Sequence, residues 1–412
     1  MKICVVGVGY IGLPTAALLA NQDHNVVGFD INKEYLNSIN NRRFPTKEKN
    51  LINLIYKGMD NNNLCFSDKI KASDAFIICT PTPLGNDLNA DLTMLLDALK
   101  SVLSVVGKGN LIVVESTIPP GTMDNVIKPI IEKHGYTIGE DIYLSYCPEM
   151  VLPSNIIYEL VNNTRIIGGC TIECSKKTEM LYKTFSKGNI YLDNASVVEL
   201  VKLAENASRD INIAFVNELA LLCSELNVDP YRVIELSNLH PRVKLLNPGI
   251  GVGGHCLPVD SLFLVENNIE HSKLIQTSRE INDKMPMIIA TEILSLIRDI
   301  NNPIVSIWGI SYKENSSDIR NSPALEISKI LDSNSIKIRI YDPFVYDHNI
   351  EYAIDTLIDS DLLLLLVKHD DFLNFDFNEI TSQMRNPRIF DAVNIIKDTS
   401  LNESIKIYRL FN

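Results

Sequence analysis

Three groups of residues in this sequence have the types and spacing to do chemistry. Gly7-Val8-Gly9-Tyr10-Ile11-Gly12 matches G-x-G-x-x-G, and an acidic residue, Asp30, closes the next apolar run. In such a loop Gly7 permits a tight turn, Gly9 lets the backbone approach a pyrophosphate, and Gly12 allows close helix–strand packing. The helix that follows offers N–H donors and a partial positive charge. A carboxylate at Asp30 would accept from ribose hydroxyls and repel the extra phosphate of NADP, so the expected cofactor is NAD.

The second group is Gly251-Val252-Gly253-Gly254-His255-Cys256-Leu257-Pro258-Val259-Asp260. A thiol beside a glycine-rich turn can be approached closely by a ligand. Cys256 is either a nucleophile or a small buried residue, and the local sequence leaves both open. His255 is not expected to be its base, because neighbours on an extended chain point to opposite sides. The third group is Lys202, Asn206 and Arg209, at i, i+4 and i+7 on a helical pattern, flanked by Asp210. These lie within roughly 60° of one another. They form either a solvated stripe or the lining of a cleft. Asn in a helix interior without a partner is unfavourable, which suits the cleft.

The elements that must position these residues follow from apolar periodicity. Strands are expected at 3–6, 26–29, 75–79, 111–114, 142–146 and 165–167, with a helix over 11–20. Residues 196–226 read as one long helix, with an apolar spacing of Leu200, Leu203, Ala207, Ile211, Phe215, Leu219 and Leu222. Asp229-Pro230 opens a further helix, expected to end near the glycine-rich stretch 247–254. After Asn301-Asn302-Pro303 the alternation resumes. Strands are expected at 305–308, 336–341, 362–367 and, as the last, 388–390, with a helix over 323–331. The fold class is therefore α/β: two alternating strand–helix segments with a helical middle, whose long helix would span between domains or build a dimer interface. Domain boundaries are set at 1–185, 186–295 and 296–412.

Composition narrows the function classes. The 412 residues carry a formal net charge of −13, which disfavours nucleic-acid or anionic-membrane partners. No apolar run approaches the 18 or so residues of a membrane span, and glycines interrupt any leader-like run at the N-terminus. The eight cysteines lack metal-binding spacing; even Cys170 and Cys174, the closest pair, have no histidine cluster after them. No metal is expected, and reduced thiols point to the cytoplasm.

Taken together, GVGYIGLPT, TPTP at 80–83, ESTIPPGT at 115–122, CPE at 147–149, KLAEN at 202–206, GVGGHCLPVD and SYKENSSDIRNSPA at 311–324 resemble the UDP-glucose/GDP-mannose dehydrogenase family over nearly the whole chain. CPEMVLP, NNTRIIGG, SRDINIAFVNEL and HPRVKLLNPGIGVGGHC look most like the subgroup acting on UDP-N-acetyl-D-mannosamine. The resemblance implies two Rossmann-like doubly wound domains joined by a long central helix and a helical dimerisation domain: an N-terminal NAD-binding domain, a central dimerisation domain carrying the cysteine loop, and a C-terminal UDP-sugar domain. It further implies a cytoplasmic homodimer or higher homo-oligomer that serves surface-polysaccharide synthesis.

The implied reaction oxidises the sugar C6 alcohol to a carboxylate with two NAD+. Cys256 would attack the aldehyde, giving a thiohemiacetal and then a thioester. Lys202 would stabilise oxyanion charge, with Asn206 donating to the same oxygen. Asp260 would hold the water that accepts the first proton. Glu149 would serve as base for hydrolysis, with Thr117 holding its water. Tyr10, Ile11, Asp30, Thr82 and Thr117 match NAD-contacting positions, alongside Gly7, Gly9 and Gly12. Met150, Val151, Lys202, Asn206, Arg209, His240, Arg242, Gly253, Lys313 and Arg320 match substrate-contacting positions, and Arg242 would reach a neighbouring subunit. His240 could equally be a local cap before Pro241. Three departures stand out. Met150 replaces the subgroup's usual Arg, Ser154 replaces a Gly, and Pro258 is more usual in UDP-glucose enzymes. UDP-glucose and UDP-N-acetylglucosamine therefore remain alternative substrates.

Overall fold

A computed structural model describes residues 1–44, 46, 48–151, 155–266, 269–345, 352–396 and 401–411. Ser154 falls outside them. Strands alternate with helices at both ends of the chain, as the apolar periodicity requires. The first sheet contains β1 (Lys2–Val6), β2 (Asn25–Phe29), β3 (Leu64–Ser67), β4 (Ala75–Ile78), β5 (Leu111–Val114), β6 (Tyr143–Tyr146), β7 (Arg165–Gly169) and β8 (Ile190–Asn194). Their spatial order is β3-β2-β1-β4-β5-β6-β7-β8. All pairings are parallel except β6 with β7, which is antiparallel. The order reverses beside β1, so a crevice is expected outside the carboxyl ends of β1 and β4.

Both faces of this sheet are covered. Ile3 and Val5 of β1 pack into one core, and Cys4 and Val6 into the other. That is why the central strands read as uninterrupted apolar runs.

The second sheet contains β9 (Ile304–Trp308), β10 (Lys337–Tyr341), β11 (Leu362–Leu365), β12 (Arg388–Asp391) and β13 (Lys406–Arg409), in the order β10-β9-β11-β12-β13. Its pairings are all parallel. The four leucines of β11 alternate between two cores, Leu362 and Leu364 on one side, Leu363 and Leu365 on the other.

Six helices position the residues of interest: α1 (Gly12–Ala20), α2 (Ala195–Glu225), α3 (Pro230–Ser237), α4 (Leu257–Val265), α5 (Lys273–Ile297) and α6 (Pro323–Ser333). Two compact units contain them: Met1–Glu205 with Leu262–Asn267, and Asn206–Ser261 with Asn268–Asn412.

Three expectations need correction. Strands β3, β8 and β13 were not anticipated, and β12 is not the last strand. All three are sheet edges, with half-exposed sequences that weaken the apolar signal. Helix α3 ends at Ser237, well before the glycine-rich stretch. The Asn238 side chain instead bridges the chain at Leu245, accepting from its N–H at 2.6 Å and donating to its carbonyl at 3.1 Å. Pro241, lacking an N–H, could not continue the helix. Finally, the expected apolar face of α2 holds only in part: Leu203 and Ala207 are buried. Leu200, Phe215 and Leu222 are about half exposed, whereas Glu199, Lys202, Asp210 and Asn217 are buried.

Candidate active site

The first unit gathers its candidate residues at the carboxyl ends of its strands. The Gly7 N–H donates to Phe29 O at 2.8 Å, so the turn after β1 is tied to the end of β2. Gly7 has φ +87°, and a Cβ on Gly12 would lie 1.8 Å from Gly7 O. No other residue fits either position. A Cβ on Gly9 would meet nothing within 4 Å among the described residues, so its surface stays open for a diphosphate. Asp30 receives the Val8 N–H at 3.1 Å and the Asn32 N–H at 2.9 Å, which fixes its carboxylate beside the glycine loop. Tyr35, missed from sequence, donates its hydroxyl to Val8 O at 2.8 Å. Burial, aided by the Asp30 charge, pushes that phenol up to about 12. Tyr10 is exposed, and Ile11 half-buried just before α1.

Thr82 donates to Thr117 O at 2.6 Å, which joins the segments leaving β4 and β5. The PPGT turn after Thr117 is held in turn by Glu199, which accepts the N–H groups of Gly121 (2.7 Å) and Met123 (2.8 Å). Behind it the buried Glu115 accepts from Tyr182 and from the Cys79 thiol (3.1 Å). In the sequence Glu115 stands out only as part of a motif, because its partners, on the loop after β4 and at a helix end, are far away in the chain.

Glu149 follows β6 and accepts the N–H of Val151. Burial pushes its carboxyl above the usual range, and the charge of Lys202 opposes that shift. Lys202 itself is only 7% exposed, so it does not belong to a solvated stripe. Met150 and Val151 are half-buried and line a small hollow with Arg165 and Leu160.

In the second unit, Cys256 directly precedes α4, and its carbonyl accepts the Asp260 N–H at 2.8 Å. The thiol is half-buried, and none of the eight cysteines is in a disulfide. It stands at the positive end of a helix, where developing negative charge is favoured. Pro258 lies in the first turn of α4, where a missing N–H costs nothing. Asn206 donates its amide to Asp260 Oδ2 at 2.6 Å.

The glycines before Cys256 are explained by protein, not ligand. A Cβ on Gly253 would lie 2.6 Å from Tyr312 Cβ, and one on Gly254 (φ +86°) 2.8 Å from the Tyr312 ring. The Gly254 N–H donates to Arg320 O at 2.9 Å, and Asn321 donates back to Gly254 O at 3.0 Å. The cysteine loop is therefore locked to the 312–321 segment, which carries Lys313 and Arg320. Arg320 grips Asp318 through its Nε, at 2.9 and 3.1 Å from the two carboxylate oxygens. Arg209 and Arg242 are exposed. His240 is exposed too, and its Nδ1 accepts the Arg242 N–H at 3.3 Å, the geometry of a local cap.

The chain is similar to known proteins over nearly its whole length. Three models of the UDP-glucose/GDP-mannose dehydrogenase family match the chain: the NAD binding domain at residues 1–186, the central domain at 196–284 and the UDP binding domain at 306–398. A UDP-N-acetyl-D-mannosamine dehydrogenase of Methanococcus vannielii is 40% identical over 96% of this chain and 93% of its own. An NDP-N-acetyl-D-galactosaminuronic acid dehydrogenase of Ralstonia solanacearum is 36% identical over 93% and 94%. The solved structure of a UDP-D-ManNAc dehydrogenase from Pyrococcus horikoshii superposes with a TM-score of 0.94 at 38% identity, covering 100% and 99% of the two chains. A glycine loop built for a dinucleotide, a UDP-binding C-terminal domain and these likenesses over nearly the full length establish the chain as a member of the UDP-glucose/GDP-mannose dehydrogenase family, an NAD-dependent dehydrogenase of UDP-sugars.

Proposed function

We propose that this enzyme oxidises the C6 alcohol of UDP-N-acetyl-D-mannosamine to the carboxylate, giving UDP-N-acetyl-D-mannosaminuronate. The observation that carries the reading is the second unit's arrangement of Cys256 at a helix start, with Asp260 one turn on and bonded to Asn206. Relatives named for UDP-N-acetyl-D-mannosamine support the choice of sugar. Met150, where the subgroup carries arginine, is the feature that keeps UDP-glucose and UDP-N-acetylglucosamine as the second reading.

Bound NAD+ supplies the hydride acceptor, one molecule for each of two oxidations. Gly7, Gly9, Tyr10, Ile11, Gly12, Asp30, Thr82 and Thr117 would hold it. In the first oxidation the alcohol proton passes to a water held by Asp260, and Lys202 and Asn206 stabilise the alkoxide. Loss of hydride from C6 leaves an aldehyde. The Cys256 sulfur then adds to C6, forming a C–S bond and a thiohemiacetal, which keeps the aldehyde from escaping. Loss of the second hydride, with the thiohemiacetal hydroxyl proton passing to water, gives a thioester. Glu149 takes a proton from a water held by Thr117, the water oxygen attacks C6, and the C–S bond breaks to return the thiolate. Four electrons leave the sugar in total.

Met150, Val151, Arg209, His240, Arg242, Gly253, Lys313 and Arg320 are assigned to the UDP-sugar. The positive residues among them suit the diphosphate's negative charge. The divisions 1–185, 186–295 and 296–412 are assigned to NAD binding, dimerisation and UDP-sugar binding. A homodimer is supported by Phe215 and Leu222 of α2, 51% and 52% exposed. Among the described residues no helix is long and apolar enough to cross a membrane. The product's role is assigned to surface-polysaccharide synthesis in the cytoplasm.

The test is to incubate the purified enzyme with NAD+ and each of the three UDP-sugars, and to count NADH per sugar consumed. Two per UDP-N-acetylmannosamine is expected. One per sugar overturns the thioester route, and faster turnover of another sugar overturns the substrate assignment.

A further inference from the structure

Beside the Asn206–Asp260 pair the second unit buries a polar network that no step above uses. The Asp210 carboxylate is 1% exposed. Its Oδ1 accepts from Arg279 Nη1 at 2.7 Å and Asn282 Nδ2 at 2.8 Å, and its Oδ2 from Ser261 Oγ at 3.1 Å. Arg279 also pairs with Asp283. Asn282 Oδ1 accepts from Asn217 Nδ2 at 3.0 Å, and Asn217 Oδ1 accepts the Gly249 N–H at 2.9 Å. Asn217, Asn282 and Ser261 are all fully or almost fully buried.

The connectivity is specific. Asp210 stands one helical turn after Asn206 on α2, and Ser261 directly follows Asp260 on α4. Asn206–Asp260 and Asp210–Ser261 are thus two successive rungs between the same two helices. From the second rung the network continues through α5 to Gly249, in the loop that leads to Cys256. Burying a charge pair is a poor route to stability alone, since apolar packing of the same volume often does as well or better. What such a network supplies is a fixed geometry, because every donor must find its acceptor.

We propose that Asp210 is a positioning residue for the reaction: it sets the Asn206–Asp260 pair through Ser261, and the approach to Cys256 through Asn282, Asn217 and Gly249. This rests on the assignment of Asn206, Asp260 and Cys256 made above. The Asp210 carboxylate need not touch substrate. It acts by holding others to the fraction of an ångström that a proton transfer requires.

Ser261→Ala removes the rung and leaves the Asp210–Arg279 pair intact, so the fold should survive; thermal unfolding checks this. The expected result is a kcat lower by about tenfold, a misalignment effect. KM for NAD+ and UDP-sugar should stay within about twofold, as expected when only transition-state interactions are lost. Asp210→Asn, if it folds, should lose at least as much kcat. A Ser261→Ala enzyme with wild-type kcat, or with its loss confined to KM or to thermal stability, overturns the positioning role. An Asp260→Asn enzyme that keeps wild-type kcat overturns the underlying assignment as well. Lost activity in Asp260→Asn beside full activity in Ser261→Ala overturns the positioning role alone.

Discussion

The Asn206 amide donates to the Asp260 carboxylate at 2.6 Å, joining the long helix α2 to the short helix α4 that begins after Cys256. The bond uses one amide hydrogen, so in the proposed role the other would serve a substrate oxygen. Asn206→Ala should therefore lower kcat by about 100-fold, the usual loss for one oxyanion donor. Steady-state kinetics should show this with KM for NAD+ unchanged.

Cys256→Ser keeps the size of the side chain but weakens the nucleophile. Turnover should stall after the first oxidation, releasing at most one NADH per active site in a single-turnover stopped-flow trace. Continued production of two NADH per sugar would remove Cys256 from the covalent role.

Glu149 gives the pH dependence a sign. Burial raises its pKa above the usual carboxylate value, and the Lys202 charge offsets only part of the shift. The base must be ionised to take a proton from water. If Glu149 is the base, thioester hydrolysis should thus fail as pH drops, with a midpoint above the usual carboxylate range. Quenched samples examined by intact-protein mass spectrometry should show an acyl adduct on Cys256 that accumulates at acid pH, and at every pH in Glu149→Gln.

Asp30 is fixed by the N–H groups of Val8 and Asn32. Asp30→Ala should remove both the ribose acceptor and the charge that repels a 2′-phosphate. The ratio of kcat/KM for NAD+ to that for NADP+ should fall by at least about tenfold, the equivalent of roughly 1.4 kcal/mol. An unchanged ratio would mean that selectivity lies elsewhere.

The segment carrying Lys313 and Arg320 has a buried anchor. His369 Nδ1 accepts the Asn315 N–H at 2.9 Å, while its Nε2 faces Asp342 Oδ2 at 3.2 Å. Asp342 is pushed up by burial, but hydrogen bonds from His369, Ile310 and Phe344 outweigh this and hold its carboxyl below the usual range. His369→Leu would remove the acceptor of the Asn315 N–H and the partner of Asp342, loosening the segment. Calorimetric titration should show UDP binding weakened by about tenfold or more, with NAD+ binding unaltered.

Local sequence determined much of this protein. The glycine fingerprint, Asp30 and the apolar central strands were legible because backbone conformation and two-sided burial act on residues close in the chain. Cys256, Lys202, Asn206 and Asp260 were legible as a set of chemical types. The rungs between α2 and α4, the Tyr312 side chain that fills the space of two glycines, the Glu199 clasp on the PPGT turn and the Asp210–Arg279 network were not. Each joins residues dozens of positions apart, and no periodicity within one element announces its partner. Tertiary structure also decided which residues of α2 are buried. Its apolar stripe suggested one inward face, but beside Leu203 and Ala207 the helix buries Glu199, Lys202, Asp210 and Asn217, because a polar side chain can be buried once distant partners satisfy its hydrogen bonds.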